Sequence, residues 1–177
     1  QVQKNTANAN KAVKTSPVQA PSATQAYPEI SKLIEYNHCT EADVKIRQLL
    51  NMKPNDINLL ALRAVSLAKQ FKLDPAQKEL DKLLKQYPKN PTLHYAQGLV
   101  FLQRTTSSDV DYIKNTRGLI NSAIKEFVTA VTLNTKYYEA YNAMGVATLK
   151  LGNRNDALDL FNTAIKVNPS FATSYDN

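Results

Sequence analysis

Few side chains in this sequence could do chemistry. His38 and Cys39 are adjacent, and His94 stands alone at the head of a periodic segment. A metal set needs donors that converge. Neighbours in sequence point apart on regular structure, and no second cysteine or suitably spaced histidine completes a set. The carboxylates are scattered singly, as on solvated helix faces. No phosphate-cradling G-x-x-x-x-G-K-[ST], no nucleophile elbow G-x-S-x-G and no H-E-x-x-H occurs. The expectation is therefore no enzyme: no catalytic residue, no metal and no cofactor. A single cysteine also rules out an intrachain disulfide framework.

The elements that hold these residues are helical by composition. The 177 residues are 43% hydrophobic, with 4 glycines and no tryptophan. The richest apolar stretch, residues 59–68, carries Arg63 in its middle, so no membrane span is expected. A net charge of +7 arises mainly from lysines interleaved with acids, which reads as a solvated surface rather than a phosphate-binding stripe. Residues 1–27 are small and polar, and such a segment cannot bury enough apolar surface to offset its ordering entropy. They are expected to form a low-complexity tail or linker before a domain at 28–177. Gln1 stands where a native start would have methionine, and the expectation leans to export, in the bacterial periplasm or envelope, over the cytoplasm.

From Pro28 onward the chain repeats. Pro54 and Pro88 lie 34 residues apart (88 − 54), closing the similar phrases LLNMKPND and LLKQYPKN. Ala42, Ile46 and Leu49 precede the first as Ala76, Leu80 and Leu83 precede the second. The series returns as Ala123, Phe127 and Ala130 with Thr135 in the proline slot, and as Ala157, Phe161, Ala164 and Pro169. Such spacings place an apolar stripe on one helix that stops near proline. Asp74 before Pro75 reads as an N-cap, residues 40–43 as a similar start, and Gly152 and Asn153 as a stop followed by a new cap.

The unit EAYNAMGVATLKLGNRNDALDLFNTAIKVNP then carries a resemblance. Tyr141, Met144, Gly145, Ala157, Phe161, Ala164 and Pro169 stand where the tetratricopeptide-repeat (TPR) family has its signature, with Thr148 departing from the expected tyrosine. The chain resembles that family over about four repeats. The resemblance implies an all-α, right-handed α-solenoid of stacked antiparallel helix pairs. The units are about 23–56 (degenerate, with Ile30 in the small-residue slot and Pro28 starting its helix late), 57–90, 91–137 and 138–171, and residues 172–177 open a further helix with Tyr175 in the slot of Tyr141. The third unit holds 47 residues, 13 more than 34. The surplus is expected as a polar loop at 105–108 and an amino-terminal extension of the second helix, capped by Asp109.

The resemblance also implies a concave groove lined by the first helix of each unit. The residues projected onto it are Ala61, Val65 and Lys69; Tyr95, Leu99 and Gln103; and Asn142, Val146 and Lys150. Chaperone-binding members of the family hold a C-terminal carboxylate with polar side chains at slots that here carry Val65, Leu99 and Val146, so that clamp is not expected. The implied function is a protein–protein interaction scaffold or adaptor holding a peptide or helix segment in the groove. The alternatives are a self-assembly module or an RNA-binding helical repeat, the latter disfavoured by the apolar slots. The expected partner is a protein or peptide, with no nucleic acid. A homo-oligomer through the uncapped carboxy-terminal end or the amino-terminal tail is the other partner considered. At that end either the native chain continues or another molecule meets it.

Overall fold

The computed structural model describes residues 23–106 and 115–170. Within them lie α1 (Ala23–Ala26), α2 (Pro28–Glu35), α3 (Cys39–Met52), α4 (Ile57–Lys69), α5 (Leu73–Gln86), α6 (Pro91–Arg104), α7 (Thr116–Leu133), α8 (Tyr138–Lys150) and α9 (Arg154–Val167), and no strand. Helices pair in sequence order, α2 with α3, α4 with α5, α6 with α7 and α8 with α9. Each second helix packs on the first helix of the next unit, and first helices touch first helices. This is the expected all-α solenoid of antiparallel pairs.

The turn inside a unit is made the same way three times. Asn37, Phe71 and Gly152 occupy one register position and all have positive φ, 63°, 58° and 88°. The next residue's N–H reaches back to close the turn: His38 to Leu33 O at 2.7 Å, Lys72 to Leu67 O at 3.0 Å and Asn153 to Thr148 O at 3.3 Å. A left-handed residue with this back-bond satisfies the last helix carbonyls in a Schellman turn.

That turn corrects the expected helix starts. It leaves so short a link that α5 begins at Leu73, with Lys72 at the cap and no side-chain cap bond. Asp74 instead lies inside the first turn and accepts from Arg104 Nη2 at 3.0 Å. Pro75 is tolerated there because first-turn N–H groups have no helical acceptor. Likewise α3 starts at Cys39, placing Thr40 within the helix. Asn153 does cap α9, without a side-chain bond. Side-chain caps form at the longer, proline-marked links. Asp56 accepts from Asn58 N and Leu59 N, and Asn90 from Thr92 N and Leu93 N. In the third unit α7 begins at Thr116, four residues before Ile120, the position equivalent to the start of α9. Asp109 and residues 107–108 of the loop lie outside the described residues, as do residues 1–22 of the tail and 171–177.

The core runs along the seam between helices, filled by Leu59, Leu62, Leu80, Leu93, Ile124, Phe127, Tyr141 and Met144. Two glycines set the closest approaches. A Cβ on Gly145 would sit 2.5 Å from Phe161 Cε1, and one on Gly98 would collide with Phe127. Polar pairs tie helices within a unit and between units. Arg63 grips Glu79 with Nε and Nη2, Gln77 and Gln97 exchange amide hydrogen bonds at 3.0 and 3.1 Å, and Asp43 accepts from Ser66 Oγ at 2.6 Å and Gln70 Nε2 at 2.8 Å.

Ala23 and Tyr27, assigned by composition to the tail, pack against the core. Proline disfavours helical geometry in the residue before it, and Tyr27 accordingly takes φ −134°, ψ 69° ahead of Pro28. The first helix of the first unit is thereby broken into α1 and α2. Past the break α1 packs on α4, with Ala23 1% exposed and its N–H donating to Thr92 Oγ1 of α6 at 3.1 Å.

Candidate peptide-binding face

The first helices α4, α6 and α8 carry the nine groove candidates, and the structure treats the three trios differently. On α4, Ala61 and Val65 are buried and Lys69 is half-buried. On α6, Tyr95 and Leu99 are buried and Gln103 is half-buried. The Tyr95 ring packs 6.0 Å from Phe127 and 5.1 Å from Tyr137, centroid to centroid. On α8, Asn142 is half-buried while Val146, at 37% exposed, and Lys150 are open.

Leu149, 47% exposed, joins this open set and was missed by projecting every fourth residue. Its register equivalents, Ala68 and Leu102, are buried. Comparing the same slot across units would have found it, since all three are apolar. Positions 142, 146, 149 and 150 share one helix face. An apolar anchor from a partner could sit on Val146 and Leu149, with the Asn142 amide and Lys150 ammonium available to backbone carbonyls or a carboxylate.

Over α4 and α6 the same face is crossed by the chain itself. Tyr27 Oη donates to Asp56 Oδ2 at 2.6 Å, while Oδ1 of the same carboxylate caps α4. This bond, with burial and the Asp56 charge behind it, pushes the Tyr27 phenol up to about 12. The contact fixes the break before Pro28 and aims α1 across the first helices.

No family model and no curated protein matches the sequence. Among solved structures, TTC0263, a thermophilic TPR protein of Thermus thermophilus, superimposes with a TM-score of 0.66 at 16% identity, over 84% of this chain and 75% of that chain. This chain has the TPR fold. MamA of Desulfovibrio magneticus, residues 41 to the end, is 15% identical with a TM-score of 0.49, over 84% of this chain and 77% of that one.

The remaining chemistry-bearing residues serve the TPR framework. Cys39 is buried at the start of α3, and burial pushes its thiol up against a smaller opposing Ser66 hydrogen bond, so it stays protonated at neutral pH. His94 lies between α6 and α7, with Nδ1 2.7 Å from Glu126 Oε2 and Nε2 2.8 Å from Pro88 O. Among the described residues, no three His, Cys, Asp or Glu side chains gather closely enough to hold a metal ion.

A second apolar face lies on α9. Leu158 and Ile165 are 58% and 40% exposed, whereas their register equivalents on α7, Ile124 and Val131, are buried at the seam with α8.

Proposed function

We propose that this chain is a protein-interaction scaffold that holds a peptide or helical segment of a partner protein on its first-helix face, centred on α8. The carrying observation is the exposure of Val146 and Leu149 in slots whose equivalents on α4 and α6 are buried. Covering an aliphatic side chain is worth about 1.5–3 kcal/mol, so two such anchors suit a modest, reversible contact. The candidates Ala61, Val65, Tyr95 and Leu99 belong to this reading as the floor on which the open part rests. Lys69, Gln103, Asn142 and Lys150 supply its polar rim.

The test is affinity capture with the immobilised chain. A partner held by wild type should be lost from Val146→Asp and Leu149→Asp and kept by Lys82→Ala, which alters an exposed residue of α5. Equal capture by all four chains would refute the reading.

Leu158 and Ile165 favour a second reading, self-association through α9. Light scattering should then show concentration-dependent growth in mass that Leu158→Lys with Ile165→Lys abolishes. A constant monomer mass would refute it.

A further inference from the structure

The strap formed by residues 23–27 lies on the first-helix face, and its contacts define what that face accepts. Ala23 is buried on α4, and its backbone N–H is received by Thr92 Oγ1. Tyr27 follows four residues later in the same turn, its N–H bonded to Ala23 O at 3.0 Å and its hydroxyl to Asp56. Asp56 and Thr92 belong to different units, so the strap bridges α4 and α6. Its attachment is one buried small side chain, one partly buried ring and two hydrogen bonds, and the pre-proline break at Tyr27 gives it a hinge.

We propose that the first turns of α4 and α6 form a second subsite of the partner-binding face, which residues 23–27 occupy as an intramolecular ligand. The partner segment that fits is a single helical turn with a small residue and, four positions on, a tyrosine. The small residue allows close approach to α4 and frees its N–H for Thr92. The tyrosine supplies a hydroxyl donor for Asp56. Such a segment displaces the strap by swinging it about Tyr27–Pro28, and the chain is self-blocked at this subsite until that happens. This deepens the scaffold reading and rests on it, but its test does not depend on α8.

The strap can be emptied in the full chain by Ala23→Glu with Tyr27→Ala, which leaves Asp56 and Thr92 in place. The probe is an acetylated synthetic peptide of residues 15–27, titrated into the isotope-labelled chain. The expected result is saturable shifts of the Asn58, Leu59, Thr92 and Leu93 amides in the emptied chain. In wild type the binding should be at least tenfold weaker. Adding Thr92→Val to the emptied chain should weaken binding several-fold, and Asp56→Asn should do the same while keeping a side-chain oxygen for the α4 cap. No saturable shift in the emptied chain, or equal binding by wild type, overturns the proposal. Unfolding of the emptied chain also overturns it, because a displaceable strap cannot be a condition of folding. In the single variant Asp56→Asn, amide exchange at Tyr27 should rise tenfold or more while α6 amides keep their protection, and unchanged exchange would count against displaceability. Loss of peptide binding with partner capture still sensitive to Val146→Asp would leave the scaffold reading intact.

Discussion

His94 should make the stability of this solenoid fall as pH rises above about 6.5, the ordinary histidine value. Its two ring nitrogens face two acceptors, the Glu126 carboxylate at 2.7 Å and the Pro88 carbonyl at 2.8 Å. A neutral imidazole has one donor and would leave one of these contacts acceptor to acceptor. The folded state therefore selects the imidazolium. Burial works against that charge and is the largest single influence, but the Glu126 bond, the Pro88 bond and the Glu126 charge together outweigh it, and the pKa is raised. Both side chains are mostly covered, 15% and 22% exposed, so solvent screens the pair less than a surface one.

A group whose pKa is raised on folding contributes fully below its unfolded value and loses that contribution as pH rises through its folded value. In that window the native state holds up to one proton more than the unfolded state. The slope is therefore bounded by about 1.4 kcal/mol per pH unit. With urea sensitivity of about 1–3 kcal/mol per molar, the midpoint should drop by no more than roughly 0.5–1.4 M per pH unit. The assay is urea unfolding from pH 5.5 upward for wild type, His94→Gln and Glu126→Gln. The wild-type curve should fall relative to His94→Gln above about pH 6.5. Glu126→Gln, which retains an acceptor but no charge, should fall less steeply and begin at lower pH. Parallel curves for wild type and His94→Gln, or a wild-type curve rising relative to it, would refute the assignment of an imidazolium.

Phe71→Gly should raise stability by about 0.5–1 kcal/mol, since a left-handed conformation strains any residue with a Cβ and the Phe71 ring is exposed; a lower denaturation midpoint would show that the ring packs. Thr148→Val should be neutral or stabilising by about 1 kcal/mol, because Thr148 Oγ1 is buried without a hydrogen-bond partner; a clear loss of stability in urea would reveal one. Gly98→Ala should cost about 1–3 kcal/mol and more than Gly145→Ala. Phe127 opposite Gly98 is fully buried and has nowhere to move, whereas Phe161 opposite Gly145 is only partly covered. Equal midpoints for the two variants would contradict that ordering.

The repeat architecture was legible because its signals are periodic and local. Pro54, Pro88, Thr135 and Pro169 mark the links, and the small residues Ala42, Ala76, Ala123, Ala157 and Ala164 mark where helices close on one another. The turn within each unit was legible only where its chemistry is ordinary. Gly152 announces a left-handed residue, and Phe71 in the same slot conceals one. The misplaced start at Asp74 has the same origin. A Schellman turn ending in Phe71 and Lys72 leaves no room for a separate cap, so the strongest capping sequence in the chain went to an ion pair with Arg104 instead.

The candidate site was legible by helix and slot but not by exposure, because exposure depends on contacts between residues far apart in sequence. Ala23 and Thr92 are 69 residues apart, and no local pattern links them. The run of small residues before Tyr27 satisfies every compositional rule for a linker, since it offers little apolar area to bury. Small size also permits a backbone to lie directly on a helix, and composition alone does not separate the two uses. What separates them here is the residue that follows. Tyr27 precedes a proline, which bends the chain, and carries a hydroxyl that reaches Asp56 across 29 positions. The bend directs Ala23 onto α4, and the hydroxyl bond holds the direction. A tail of the same composition without Tyr27 and Pro28 would have no physical reason to turn toward the first-helix face. Those two residues, more than the composition around them, account for the packing of Ala23 on α4.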